Sequence, residues 1–131
     1  MTNPNLAADY KKRAKGRLEA IRVLFKHGLY ADVVRESQEA CELALKALIR
    51  EAGHAVPMVH DVSQKLLEVK ADLPTKVQTK LESLCNTSRD LRRDRELSFY
   101  GSEDITPSEF YRKEDAEKAV KQLEEVLSVV D

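Results

Sequence analysis

The chain has 131 residues, of which 42% are hydrophobic and 34% charged, with four glycines, four prolines and no tryptophan. This composition disfavours both a disordered chain and an all-β fold, and the length suits one domain with a single sizeable core. The formal net charge is −1, so any binding to nucleic acid must come from a local basic patch. We therefore expect one helical domain over residues 1–131.

The first two predicted helices form a hairpin. Apolar residues at steps of three and four predict a helix over residues 5–27, which ends with basic side chains before Gly28. A second helix is predicted over residues 30–52, closed by Gly53. The connection between them is so short that the two helices must run antiparallel.

The middle of the chain predicts one short helix and one long one. Pro57 breaks the helical pattern, and Asp61 can cap a short helix after it. Thr75 is the predicted N-cap of the next main helix. The apolar stripe of that helix comprises Val77, Leu81, Leu84, Cys85, Ser88 and Leu91.

The last part of the chain predicts a short turn of helix and a final main helix. Residues 106–109 read Thr-Pro-Ser-Glu, the arrangement of a capping box with proline at the first helical position. The aromatic pair Phe110-Tyr111 is expected to pack this turn onto the bundle. The final helix is predicted over residues 113–130. Its expected buried residues are Ala116, Val120, Leu123, Leu127 and Val130. The predicted fold is all-α, an antiparallel up-and-down bundle of four main helices plus a short helix.

The segment RRDRELSFYG at residues 92–101 contains the most informative charges of the chain. At 100° per residue, the apolar stripe of its helix continues into Arg95, with Arg92 beside it and Arg93 towards solvent. An arginine on a buried seam is costly unless it is paired or reaches a wet cleft. Two interpretations stay open, a contact with an external anion or an ion pair with an acid of a neighbouring helix. The candidate acids are Glu39, Glu42 and Asp115.

Four stretches together resemble the HEPN domain family over roughly residues 8–128. They read HGLYADVVRESQEACELALKALIREAG, HDV at 60–62, RELSFYG, and TPSEFYRKEDAEKAV. The resemblance implies a helical bundle that dimerises, often with a cleft at the dimer interface. Many members are metal-independent endoribonucleases, and many are encoded beside a small nucleotidyltransferase as a toxin–antitoxin pair. Others are noncatalytic and bind nucleotides, RNA or protein partners.

The chain departs from the catalytic pattern of that family. Catalytic members carry an arginine and, four to six residues later, a histidine, which suits charge stabilisation and proton movement. No arginine between residues 89 and 95 has a histidine at that spacing, and no histidine follows His60. A tyrosine such as Tyr100 is a poor proton shuttle at neutral pH. In some paired systems a tyrosine in this region receives a nucleotide from the partner enzyme, and Tyr100 is the residue that matches.

These observations predict a noncatalytic HEPN-like homodimer that binds a nucleotide, RNA or a nucleotidyltransferase partner. The candidate ligand-binding residues are Arg92, Arg95, Tyr100 and His60. One alternative is a ribonuclease toxin that uses Arg95 with Tyr100 or His60. Another is a purely structural interaction module in which Arg95 forms a buried ion pair.

The sequence predicts no cofactor and no metal. Glu51 and His54 match a Glu-x-x-His spacing, but the pair stands alone beside Gly53, whereas di-metal bundles need two copies and further carboxylates. The two cysteines, Cys41 and Cys85, are expected to be reduced core residues. The first residues lack an apolar signal core and no run is long enough to span a bilayer, so a cytoplasmic protein is expected.

Overall fold

We describe the fold from a computed structural model that covers residues 5–56, 62–93 and 100–131, without the side chain of Arg93. The helices are α1 Leu6–Lys26, α2 Tyr30–Glu51, α3 Val62–Glu68, α4 Thr75–Thr79, α5 Leu81–Arg93, α6 Pro107–Phe110 and α7 Lys113–Val130, and a 3₁₀ turn spans Lys70–Asp72. The all-α prediction is confirmed. None of the described helices combines the length and the apolar character needed to cross a membrane.

The four long helices α1, α2, α5 and α7 form an up-and-down bundle around α2. Helix α2 packs most extensively against α1 and α7, while α5 packs mainly against α3 and α2. Lys11, early in α1, pairs with Glu51 at the end of α2, so these two helices are antiparallel. Val34 near the start of α2, Leu91 near the end of α5 and Asp115 near the start of α7 line one cleft. Helices α2 and α7 therefore run one way and α1 and α5 the other.

The core lies between α2 and its neighbours. The largest fully buried side chains include Ile21, Leu45, Leu48, Ile49, Leu66 and Leu123. Both cysteines are buried and free, as predicted, and burial raises the pKa of the Cys41 thiol to about 12 because the interior disfavours the thiolate. Of the residues predicted to be buried on α7, only Val120 is half-buried, because it lines an open groove between α1 and α7.

The helix predicted to start with Thr75 as its N-cap differs from that prediction in two ways. Pro74 holds the N-cap position, and Thr75 is already helical without a capping side chain. The helix is also interrupted at Lys80, whose N–H donates to the Val77 carbonyl oxygen at 3.1 Å. This bond to the third residue back is that of a tightened 3₁₀-type turn, which separates α4 from α5. The apolar stripe nevertheless stays in phase, because Leu81 is buried directly after the interruption.

The predicted capping box at α6 is confirmed. The Glu109 N–H donates to the Thr106 hydroxyl at 3.2 Å, and the Thr106 N–H donates to the Glu109 carboxylate at 3.4 Å. Of the following aromatic pair, Tyr111 is 4% exposed and packs into the bundle, as expected. The expectation was wrong for Phe110, which is 45% exposed and meets the Tyr111 ring in a T-shaped contact.

Candidate functional site

The structure describes two of the four predicted ligand-binding residues, Arg92 on the last turn of α5 and Tyr100 directly before Gly101. Arg92 has an exposed side chain on the last turn of α5. Tyr100 is 75% exposed. Arg95 and His60 lie outside the described residues, so their roles stay predictions. We call this end of the bundle, with Arg92, Tyr100 and the start of α7, the arginine end.

A tight turn fixes the backbone directly after Tyr100. Gly101 has φ of +76°, a left-handed conformation that favours glycine. A Cβ atom added to Gly101 would lie 2.7 Å from Cδ of Pro107 and 2.8 Å from the carbonyl oxygen of Ile105. The Ser102 N–H also donates to that Ile105 oxygen at 3.0 Å. The chain leaving Tyr100 is therefore held against the start of α6.

A cleft of about 230 Å³ opens at the arginine end between α2, α5, α6 and α7. We call it the α5–α7 cleft. It is lined by Val34, Asp90, Leu91, Phe110, Tyr111, Asp115, Lys118, Ala119 and Gln122. Arg92 follows Leu91 directly, and α6 joins the Gly101 turn at one end to Phe110 at the other. Arg92 and Tyr100 are thus neighbours of cleft elements along the chain, and neither side chain lines the cleft.

Two polar side chains of the α5–α7 cleft have unused bonding capacity. The exposed Lys118 and the half-buried Gln122 make no ion pair or hydrogen bond within the described part of the chain. Asp115 uses one carboxylate oxygen to accept a 2.8 Å bond from the Arg112 N–H at the start of α7. Asp90 adds a second carboxylate. The cleft therefore offers hydrogen-bond donors and acceptors above an apolar floor.

Glu39 and Glu42 on α2, which the sequence offered as partners of Arg95, have other cationic partners. Glu39 accepts from Arg35 at 3.3 Å within a cluster that also joins α1 to α2. Glu42 pairs with Lys46 at 3.0 Å. These contacts make the outer face of α2 a network of ion pairs and account for its charges without a ligand.

Three charged pairs form at the opposite end of the bundle, which we call the paired end. Lys11 pairs with Glu51, Lys15 with Asp131, and His54 with Asp72 at 2.7 Å. The hydrogen bond from Lys15, helped by nearby lysine charges, lowers the pKa of Asp131. The Glu-x-x-His spacing therefore reflects two separate pairs. Among the described residues no three His, Cys, Asp or Glu side chains gather where they could hold a metal ion.

Comparisons with known proteins agree on one family. The HEPN domain family matches residues 7–131. A protein of Methanocaldococcus jannaschii named "Putative toxin MJ1304" is 30% identical over 133 residues, covering 98% of this chain and 88% of that protein. The crystal structure of TT1696 from Thermus thermophilus superposes with a TM-score of 0.76 at 26% identity, covering 96% of each chain.

Proposed function

This chain belongs to the HEPN domain family, and from that premise we propose that it binds a nucleotide or RNA at the arginine end without cleaving it. The binding unit is a homodimer in which residues 1–131 form a single cytoplasmic domain. The phosphate contacts come from Arg92 and Arg95, and Tyr100 provides a further hydrogen-bonding group. Light scattering tests the dimer, since a mass equal to one chain would contradict it.

The observation that carries this proposal is the exposure of Arg92 at the end of α5 and of Tyr100 directly before the rigid Gly101 turn. A guanidinium presents a planar fork of donors that matches phosphate oxygens, and it keeps its charge at every physiological pH. The Gly101 turn and the capped α6 hold the neighbouring backbone in place, so less ordering is needed on binding. A positive group on an overall slightly acidic chain gives local, not general, affinity for phosphate.

The positions of the histidines support a noncatalytic role. The spacing after the arginines lacks a histidine, and His54 is held by Asp72 at the paired end. Val34 in the α5–α7 cleft is separated from the end of α2 at Glu51 by about 25 Å of helix, and His54 follows beyond that end. His27 is exposed at the end of α1, at the same end of the bundle as Arg92, but it does not line the α5–α7 cleft. It also precedes the arginines in the sequence, so it does not supply the family's spacing of an arginine followed by a histidine.

An RNA-binding assay in the presence of a chelator tests this proposal. A fluorescent single-stranded RNA should bind and stay intact, and Arg92→Ala should weaken binding and reduce its dependence on salt. The matched control is Arg13→Ala, an exposed arginine on α1 near the paired end, which should leave binding unchanged. Cleavage that Arg92→Ala abolishes and chelator does not would instead establish the ribonuclease alternative.

A second function is favoured by the 75% exposure of the Tyr100 side chain. We propose that a nucleotidyltransferase partner, encoded beside this chain as a toxin–antitoxin pair, modifies Tyr100. The relative named as a toxin supports this assignment. In the reaction the phenol oxygen attacks the α-phosphorus of a nucleoside triphosphate, a P–O bond forms, pyrophosphate leaves and the phenol proton is lost.

Intact-mass spectrometry after incubation with the partner and ATP tests the modification of Tyr100. The expected product is heavier by one or more nucleotidyl groups, and Tyr100→Phe should abolish the gain. Tyr30→Phe is the matched control, because Tyr30 packs against Phe25 with ring centroids 5.6 Å apart. Modification that persists in Tyr100→Phe would contradict the assignment.

A further inference from the structure

We propose that two copies of this chain pair through the groove between α1 and α7, so that α1 of each copy packs on α7 of the other. This inference rests on the homodimer of the proposed function and identifies its interface. We call this surface the α1–α7 groove. Its volume is about 350 Å³, and it is lined by Arg22 and Phe25 from α1 and by Glu117, Val120, Lys121 and Glu124 from α7.

The α1–α7 groove leaves ordered apolar side chains in contact with water. It exists because α1 and α7 both pack on α2 and much less on each other. Its apolar residues are Phe25 and Val120, which are half-buried and pack against the core. The Phe25 ring also meets Tyr30 in an edge-on contact, with centroids 5.6 Å apart. Covering these side chains favours association, because apolar surface leaves water and little side-chain freedom is lost.

The two walls of the groove carry opposite net charge. The α1 wall has the guanidinium of Arg22, whereas the α7 wall has the two carboxylates of Glu117 and Glu124 and the ammonium of Lys121, a net charge of −1. The charged side chains of the α7 wall make no ion pair within the described part of the chain. Arg22 pairs with Glu19 of its own helix at 3.0 Å, and both side chains are more than half exposed. Such exposed pairs contribute little, so Arg22 is able to form a new contact.

A two-fold axis parallel to the groove matches these two walls. A homodimer with such an axis uses the same patch on both subunits, and the rotation places α1 of one copy over α7 of the other. Arg22 of each copy then faces the wall that carries Glu117 and Glu124 of the other copy, and this contact occurs twice. The apolar floors of the two copies meet along the axis. An axis across the groove would instead set each wall against its own copy, with like charges facing each other.

This charge pattern favours a second copy over a helix of another protein. A foreign helix in the groove would need acidic groups along one side and basic groups along the other, whereas a second copy presents that pattern from its own two walls. In the pair, α1 and α7 of both copies form a further four-helix arrangement. The axis also keeps the direction of every helix that runs along the groove, so the two arginine ends lie at the same end of the dimer.

The test exchanges charges between the two walls and measures the mass by light scattering. Arg22→Glu makes both walls acidic, and Glu117→Lys combined with Glu124→Lys makes both walls basic. At a concentration where the wild type is dimeric, each variant alone should shift towards the mass of one chain. Its dimer dissociation constant should rise at least about tenfold, because like charges then face each other twice. An equimolar mixture of the two variants should regain the dimer mass, because every contact again joins opposite charges.

The matched controls are Arg13→Glu and Glu125→Lys, which change exposed residues of α1 and α7 outside the groove and should leave the dimer intact. Dissociation of each groove variant and recovery in the mixture support this interface, and recovery also shows that both variants are folded. Groove variants that stay dimeric alone, or a mixture that does not recover, overturn the interface and leave the homodimer standing. A wild type with the mass of one chain contradicts the homodimer of the proposed function, and the interface fails with it.

Discussion

The two ends of the bundle carry similar kinds of side chain and use them differently. At the paired end, Lys15 and Asp131 meet each other, and so do His54 and Asp72. At the arginine end, Lys118 and Gln122 line a cleft without a partner in the described part of the chain. Pairing consumes the bonding capacity of a charged group, so composition alone does not mark a binding surface. The difference directs the search for a ligand to the arginine end.

The largest expected effect is a loss of stability on replacing one glycine at each end of the bundle, Gly53 at the paired end and Gly101 at the arginine end. Gly101 and Gly53 both have positive φ, but an added Cβ meets nothing within 4 Å at Gly53 and collides with Pro107 at Gly101. Gly53→Ala should lower the free energy of unfolding by about 1 kcal/mol from backbone strain alone. Gly101→Ala should lower it by roughly 2–4 kcal/mol, because overpacking adds to the strain. Urea denaturation measures both, and equal losses would refute the close packing of the Gly101 turn.

A smaller effect is expected from the cap of α6. Thr106→Ala removes the hydroxyl that accepts from the Glu109 N–H and should cost about 1 kcal/mol of unfolding free energy. Ser108→Ala, inside the same turn and exposed, is the control and should change the free energy by less than half as much. If the two variants have equal stability, the capping box does not support the arginine end.

The smallest expected effect is the stabilisation that the Lys15–Asp131 pair gives at the paired end, and it depends on pH. The pKa of Asp131 is lowered in the folded chain, first by the hydrogen bond from Lys15, below its ordinary value of 3.8. The stabilisation is therefore complete above pH 3.8 and is lost as the pH falls through the lower folded pKa. Melting temperatures of the wild type and Lys15→Met should converge at low pH. A constant difference down to the lowest pH would mean that the pair does not stabilise the fold.

Helical periodicity and glycine caps made most of the fold predictable. The helix predicted over residues 113–130 has those bounds in the structure, and the one predicted over 30–52 ends one residue earlier. The interruption at Lys80 was not predictable, because the apolar stripe keeps its phase across it. That break depends on a single local hydrogen bond between main-chain groups.

The candidate site was predictable only in part. Arg92 and Arg95 stood out because positive charge continued an apolar stripe, and Tyr100 stood out because it matches a tyrosine position of the family. The cleft residues Asp90, Lys118 and Gln122 did not, because each looks like an ordinary polar position on its own helix. They converge through the way α5, α6 and α7 pack, and no spacing within one helix encodes that crossing.

The most direct test of the central claim is a two-dimensional NMR titration of the labelled protein with a single-stranded RNA hexamer in the presence of a chelator. The proposed function predicts shifts confined to the end of α5, Gly101, α6 and the start of α7, with the RNA intact at the end. The resonances of Lys15, His54 and Asp72 at the paired end should stay in place. Shifts centred on those three residues, or RNA cut during the titration, would contradict it.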